Sequence, residues 1–150
     1  LTLQANWEFF CGSASTPAWC PSPASASPIF LAPEMSLNPR AGMSWNQGLG
    51  KFMLSLVYDT TPATPNEGTR FYGGLMVLIS SEPWGPWQTV FTSDGQIWPG
   101  GTSTPGCGST EWGSGERADI PTKYMSADGR TFYLFSSGGD CLSIARGVLR

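Results

Sequence analysis

The sequence predicts an all-β fold, and three observations predict it. Only 13% of the residues are charged while another 13% are aromatic, whereas helical domains are normally rich in Lys, Glu, Ala and Leu. The chain also carries 19 glycines and 13 prolines, which punctuate it too often for helices and suit turns between short strands. Its apolar runs are of strand length and are bounded by those same turn residues. At 150 residues the chain holds one core, and nothing in it marks a second domain.

The elements follow in consecutive antiparallel order. "WEFFC" (7–11) leads into a Gly/Ser turn and then "PAWC", and "SASPIFLAP" (25–33) is apolar at its centre. "GMSWN" (42–46) and "GKFMLSLVYD" (50–59) flank the tight turn "QGLG" and are expected to form a hairpin. After a polar, proline-containing loop over 60–70, "GGLMVLISS" (73–81) reads as a strand covered on both faces, because its apolar run is continuous. "SSEPWGPWQ" (80–88) is a connector: Pro83 and Pro86 lack the backbone N–H, and each holds the residue before it extended. "WQTVFTS" (87–93) is the next strand, followed by a long Gly/Ser/Thr/Pro loop over 99–117. "TKYMS" and "RTFYLFSS" flank Ala127-Asp128-Gly129 as a second hairpin, and "CLSIARGVLR" closes the chain. "MSWNQGLGKFMLSLV" and "YMSADGRTFYLFSS" repeat one pattern of strand, Gly turn and aromatic-apolar strand. Repeated meanders of this kind fit the blades of a β-propeller, and a β-sandwich fits the same strand count.

Charge and cysteine usage exclude several function classes. A net charge of −3 argues against nucleic-acid or anionic-membrane partners, which call for basic patches. No apolar run approaches the roughly 20 residues of a membrane span. There is no histidine, which rules out Ser-His-Asp and Cys-His catalysis; with no Cys-x-x-Cys either, neither a metal nor a cofactor is expected. The four cysteines lie in loops and at a strand start, which reads as two disulfides, Cys11–Cys20 and Cys107–Cys141, and hence an extracellular protein. The alternative is four free thiols in a cytosolic one. The chain has no Asn-x-Ser/Thr sequon, while "TPATPNEGT" and "PGGTSTPGCGST" suit O-linked sugars.

Candidate functional residues are aromatic or acidic. Trp84, Trp87, Trp98 and Trp112 offer ring faces to the C–H face of a sugar, Trp98 and Trp112 from Gly-rich loops. For Trp84 and Trp87 the favoured reading is a structural one, indoles that close the packing around a stiff connector. Glu82, beside them, suits a sugar hydroxyl, and the plainer role is a loop anchor. Asp119 and Asp140 sit at strand edges, Glu8 lies between Trp7 and Phe9, and Asp128 reads as a turn residue. The echo of "TSDGQIW" in "MSADGRTF" resembles the Asp-box turn of sialidase-like propellers.

"WEFFCG", "PAW", "ASPIF", "MSWNQGLGKFML", "SEPWGPWQTV", "IPTKYMSADGRTFYLFSSG" and "SIARGVL" occur in an order that resembles a family of secreted five-bladed propellers, the domain of unknown function 4185 family, some of whose members are endo-D-arabinanases. The resemblance covers nearly all of the chain apart from 60–70 and 99–117. It implies that 1–150 is a single partial propeller domain, about two and a half blades of antiparallel four-stranded sheets from the C-terminal half. The N-terminal blades would be missing or supplied by another chain. Glycoside hydrolysis uses two facing carboxylates. In the resembled hydrolases these are expected in the earlier blades, so no catalytic residue carries over and the chain alone is expected to be inactive. The implied partners are a polysaccharide or glycan, and the missing blades or further copies of the chain. A reading from another class is a non-catalytic carbohydrate-binding or structural subunit that self-assembles through open blade edges.

Overall fold

The computed structural model describes residues 7–31, 36–59, 73–93, 117–138 and 141–150, and they form an all-β, antiparallel structure. Strands β1 (Phe9–Phe10) and β2 (Trp19–Cys20) make a short hairpin. Strands β3 (Ser36–Asn46), β4 (Lys51–Asp59), β5 (Gly73–Ser80) and β6 (Gln88–Ser93) form a four-stranded meander in the order β3-β4-β5-β6. Strands β7 (Arg117–Asp119), β8 (Thr131–Gly138) and β9 (Cys141–Val148) form a three-stranded sheet in the order β7-β8-β9.

The meander lies at the centre because it is apolar on both faces. Along β4 and β5 one alternation sends Met53, Leu75 and Val77 against Ala118, Ile120, Phe132 and Leu134 of the second sheet and its approach. The opposite alternation buries Leu54, Leu56 and Leu78 beneath Phe30, Met76 and Trp87. Each fully buried aliphatic side chain contributes about 1.5–3 kcal/mol, so a strand buried on both faces gathers roughly twice the stabilisation of one that is half-solvated. The hairpin strand expected at 50–59 and the two-faced strand expected at 73–81 are present as β4 and β5. Ser55 is one of the polar residues buried among these strands. Its hydroxyl donates to the carbonyl of Ala118 at 2.6 Å and lies 3.2 Å from that of Gly42, tying β3 and β4 to β7.

The two hairpin turns pack on one another. Gln47–Gly50 closes with Gly50 N–H donating to the Gln47 carbonyl at 3.3 Å, and Gly50 has φ +60°. A Cβ on Gly48 would sit 2.2 Å from the nitrogen of Gly129, so this contact admits no side chain.

Three segments differ from the sequence expectation. Residues 25–31 contain no strand: Pro23–Ser25 form a 3-10 turn capped by the Ser22 hydroxyl, and Pro23 and Pro28 deny the segment the donors that a strand needs. Thr122–Tyr124 also form a 3-10 turn, with Pro121 at its N-cap, so the second hairpin pairs at Met125–Phe132 alone before its turn. Strand β7 falls where a loop was expected to end, because three residues, Arg-Ala-Asp, carry no alternation to read. The Cys11–Cys20 disulfide is present. The expected Cys107–Cys141 bond lies outside the described residues, as do Trp98, Trp112 and Asp140.

Candidate functional site: an aromatic cluster on the connector

The site begins with a constrained loop. Cys11 and Cys20 are joined across the β1–β2 hairpin, with Cα atoms 5.9 Å apart. Inside it Cys11 N–H donates to the Ala18 carbonyl at 2.9 Å, and Ser13 and Thr16 bond one another through backbone and hydroxyls. Gly12 passes so close to the returning strand that a Cβ there would meet the Thr16 oxygen at 2.3 Å. The loop is therefore folded tightly on itself, and it fixes Phe10 opposite Trp19 in register.

The connector supplies the third ring. Glu82–Gly85 make a turn closed by Gly85 N–H on the Glu82 carbonyl at 3.1 Å, Gly85 has φ +95°, and the Gly85–Pro86 peptide is cis. This turn sends the two connector indoles to different places. Trp84 stacks on Phe10, with ring centroids 5.8 Å apart and planes 9° from parallel. Trp19 stands nearly perpendicular to both, 5.9 Å from each. Trp87 instead packs on Leu54, Leu56 and Leu78, where its Nε1 is buried and has no partner among the described residues.

The three rings contact one another, one pair stacked and two pairs edge-on, at centroid separations of 5.8–5.9 Å. The cluster is thus a packed unit that offers its outer faces. Trp19 is 53% exposed and Trp7 52%, while Phe10 and Trp84 are half-buried. Glu82, two residues before Trp84, is exposed, and its N–H donates to the Ser80 hydroxyl at 3.2 Å. Chemically the cluster offers flat apolar faces suited to C–H groups.

The aspartates named from the sequence that are described, Asp119 and Asp128, are not gathered here. The Asp119 carboxylate lies against Gly42 on β3, where an added Cβ would meet its Oδ1. Asp128 belongs to its turn: it accepts from the Ser126 hydroxyl at 2.5 Å and from Arg130 N–H at 3.0 Å. Those two hydrogen bonds, the Ser126 one foremost, hold its carboxyl below the ordinary aspartate range. Among the described residues no group of three or more His, Cys, Asp or Glu side chains could hold a metal ion, and no helix is long and apolar enough to cross a membrane.

Sequence reasoning named Trp84 and passed over Trp19 and Phe10, its neighbours in the cluster. The available signal was the position of Trp19 directly before a disulfide cysteine, which fixes a ring on a rigid support. It also passed over Trp45, 41% exposed on β3, whose ring meets Phe52 edge-on at 4.8 Å. Comparison with protein-family profiles, with curated proteins and with solved structures returns no match to this chain.

Proposed function

We propose that the chain is part of a secreted, carbohydrate-active β-propeller similar to the arabinan-cleaving family, and that its described part holds a saccharide rather than cleaving one. The observation that carries this reading is the Phe10–Trp19–Trp84 cluster, in which a half-exposed indole is fixed by a disulfide-closed hairpin and backed by two further rings. A rigid aromatic face loses little conformational entropy when a sugar stacks on it, and the exposed Glu82 nearby in sequence supplies an acceptor for a hydroxyl. The four-stranded antiparallel meander has the form of a propeller blade, and a disulfide suits an oxidising compartment. Asp119 and Asp128 have structural places on Gly42 and in the 126–131 turn, which favours holding over hydrolysis.

The test is titration calorimetry of the 150-residue chain against arabinan and a panel of other polysaccharides, with reducing ends assayed in parallel. One polysaccharide is expected to bind without turnover, and Trp19→Ala and Trp84→Ala each to weaken it about tenfold, equivalent to about 1.4 kcal/mol. Binding to none of the panel, or binding indifferent to both substitutions, would overturn the reading. Turnover abolished by Asp119→Asn would replace it with an enzymatic one.

A further inference from the structure

A sheet edge presents a row of unpaired N–H and C=O groups that templates another strand unless something blunts it. The two larger sheets have four edges, and three of them are blunted. Strand β3 contains Pro39 and a register shift between Ser36 and Arg40. Strand β6 follows Pro86 closely and pairs with a register shift at Val77/Leu78. Strand β7 is only three residues long.

Strand β9 has no such device. It runs for eight residues without proline, carries Arg146 as its one charge, and among the described residues pairs with β8 alone. Its exposed side chains form an apolar row: Leu142 is 69% exposed, Ile144 55% and Val148 56%, with Arg146 between the last two. Tyr133 and Phe135 of β8 extend this row across the same face through the pairs Tyr133–Arg146 and Phe135–Ile144.

We propose that β9 pairs antiparallel with β9 of a second copy about a two-fold axis, joining the two three-stranded sheets into one. The sequence of the strand is self-complementary in a single register. With Ala145 on the axis, Ile144 lies opposite Arg146 of the second copy and Leu142 opposite Val148. Every exposed position then meets an aliphatic side chain or an arginine stem. Centring the pair on Arg146 sets two guanidinium groups face to face, and like charges directly opposite are destabilising. Centring it on Ile144 sets Leu142 against Arg146 and carries Val148 past the end of the facing strand. A two-fold interface of this kind closes on itself, so it gives a dimer and no filament. The saccharide site lies on the β1–β2 hairpin and the connector, away from β9, whereas a missing propeller strand would compete with the second copy for this same edge.

Sedimentation equilibrium of the 150-residue chain tests it, with a dimer expected at twice 16.1 kDa. Ile144→Lys sets an ammonium opposite Arg146 twice over by symmetry, while Ile144→Glu sets a carboxylate there. Because Ile144 is exposed in the single chain, both variants keep the fold, which far-ultraviolet circular dichroism checks. The lysine variant is expected to dissociate at least about tenfold more readily than the glutamate variant, and the difference to vanish when each is combined with Arg146→Ala. A monomer at every concentration, assemblies larger than a dimer, or equal effects of the two substitutions would overturn the proposal.

Discussion

Asn46 donates from Nδ2 to the carbonyl of Gly129 at 2.8 Å, across 83 residues of sequence. The same side chain accepts from Leu49 N–H at 3.1 Å and is fully buried, so one amide closes its own hairpin and locks it to the other. Gly129, at φ +71°, leaves no room for a Cβ beside the Asn46 oxygen. Replacing Asn46 by Ala strands a buried carbonyl and a turn N–H, at a cost of roughly 1–3 kcal/mol for each group left unpaired. The midpoint of urea unfolding is expected to fall accordingly. Gly129→Ala is expected to be at least as damaging, since it adds left-handed strain to the steric clash.

Gly147 makes a different demand on space. It lies opposite Phe132 in register, and a Cβ there would meet the ring carbons at 2.3–2.8 Å. Phe132 is itself part of the core, packed with Leu134 and Ile120, so its ring has nowhere to withdraw. Gly147→Ala is expected to destabilise by about 1–3 kcal/mol, read as a lower thermal midpoint.

Asp128 gives the pH dependence a sign. Its folded pKa lies below the reference value of 3.8 because the Ser126 hydroxyl and Arg130 N–H favour the carboxylate. Its contribution to stability is thus present above that reference and lost as pH falls through the folded value. The Asp128 carboxyl carbon, followed by NMR, is expected to titrate below the reference value of 3.8. In Ser126→Ala that midpoint is expected to move upward, and no movement would show that the hydroxyl is not the main cause.

The Cys11–Cys20 bond closes the loop that carries Trp19. Replacing both cysteines by serine is expected to cost about 2–3 kcal/mol of hairpin stability on the loop-entropy account. Hydrogen exchange is expected to rise at Phe10 and Trp19 while Leu54 and Val77 in the central sheet stay protected. Equal acceleration at both places would mean that the hairpin and the meander open as one unit.

What the sequence made legible depended on how many residues carried each signal. The run at 73–80 spells a two-faced strand through its continuous apolar positions, 51–59 spells a strand through its apolar residues, and the Gly-rich turn between Asn46 and Lys51 fixes where the chain reverses. Strand β7 was invisible because its three residues hold place through outside partners, such as the Ala118 carbonyl that receives the Ser55 hydroxyl. In "TKYMS", Pro121 bends the entry into a 3-10 turn, and a side-chain pattern does not register that backbone effect. For the candidate site, composition pointed to Trp84 but could not say which rings it meets. The Phe10–Trp84 stack joins residues far apart in sequence, and only the docking of the first hairpin on the connector brings them together.

Trp87 equips the protein with an internal optical reporter. Its indole nitrogen is sealed and without a hydrogen bond among the described residues, pressed against Leu54, Leu56 and Leu78, whereas Trp7 and Trp19 stand half in water. An excited indole with fewer solvent dipoles to relax around it emits at shorter wavelength. Trp87 should therefore dominate the blue edge of the emission band, and acrylamide should quench the red edge first. Loosening of the packing on that face of the meander then becomes visible as a colour change, separately from any event at the exposed rings.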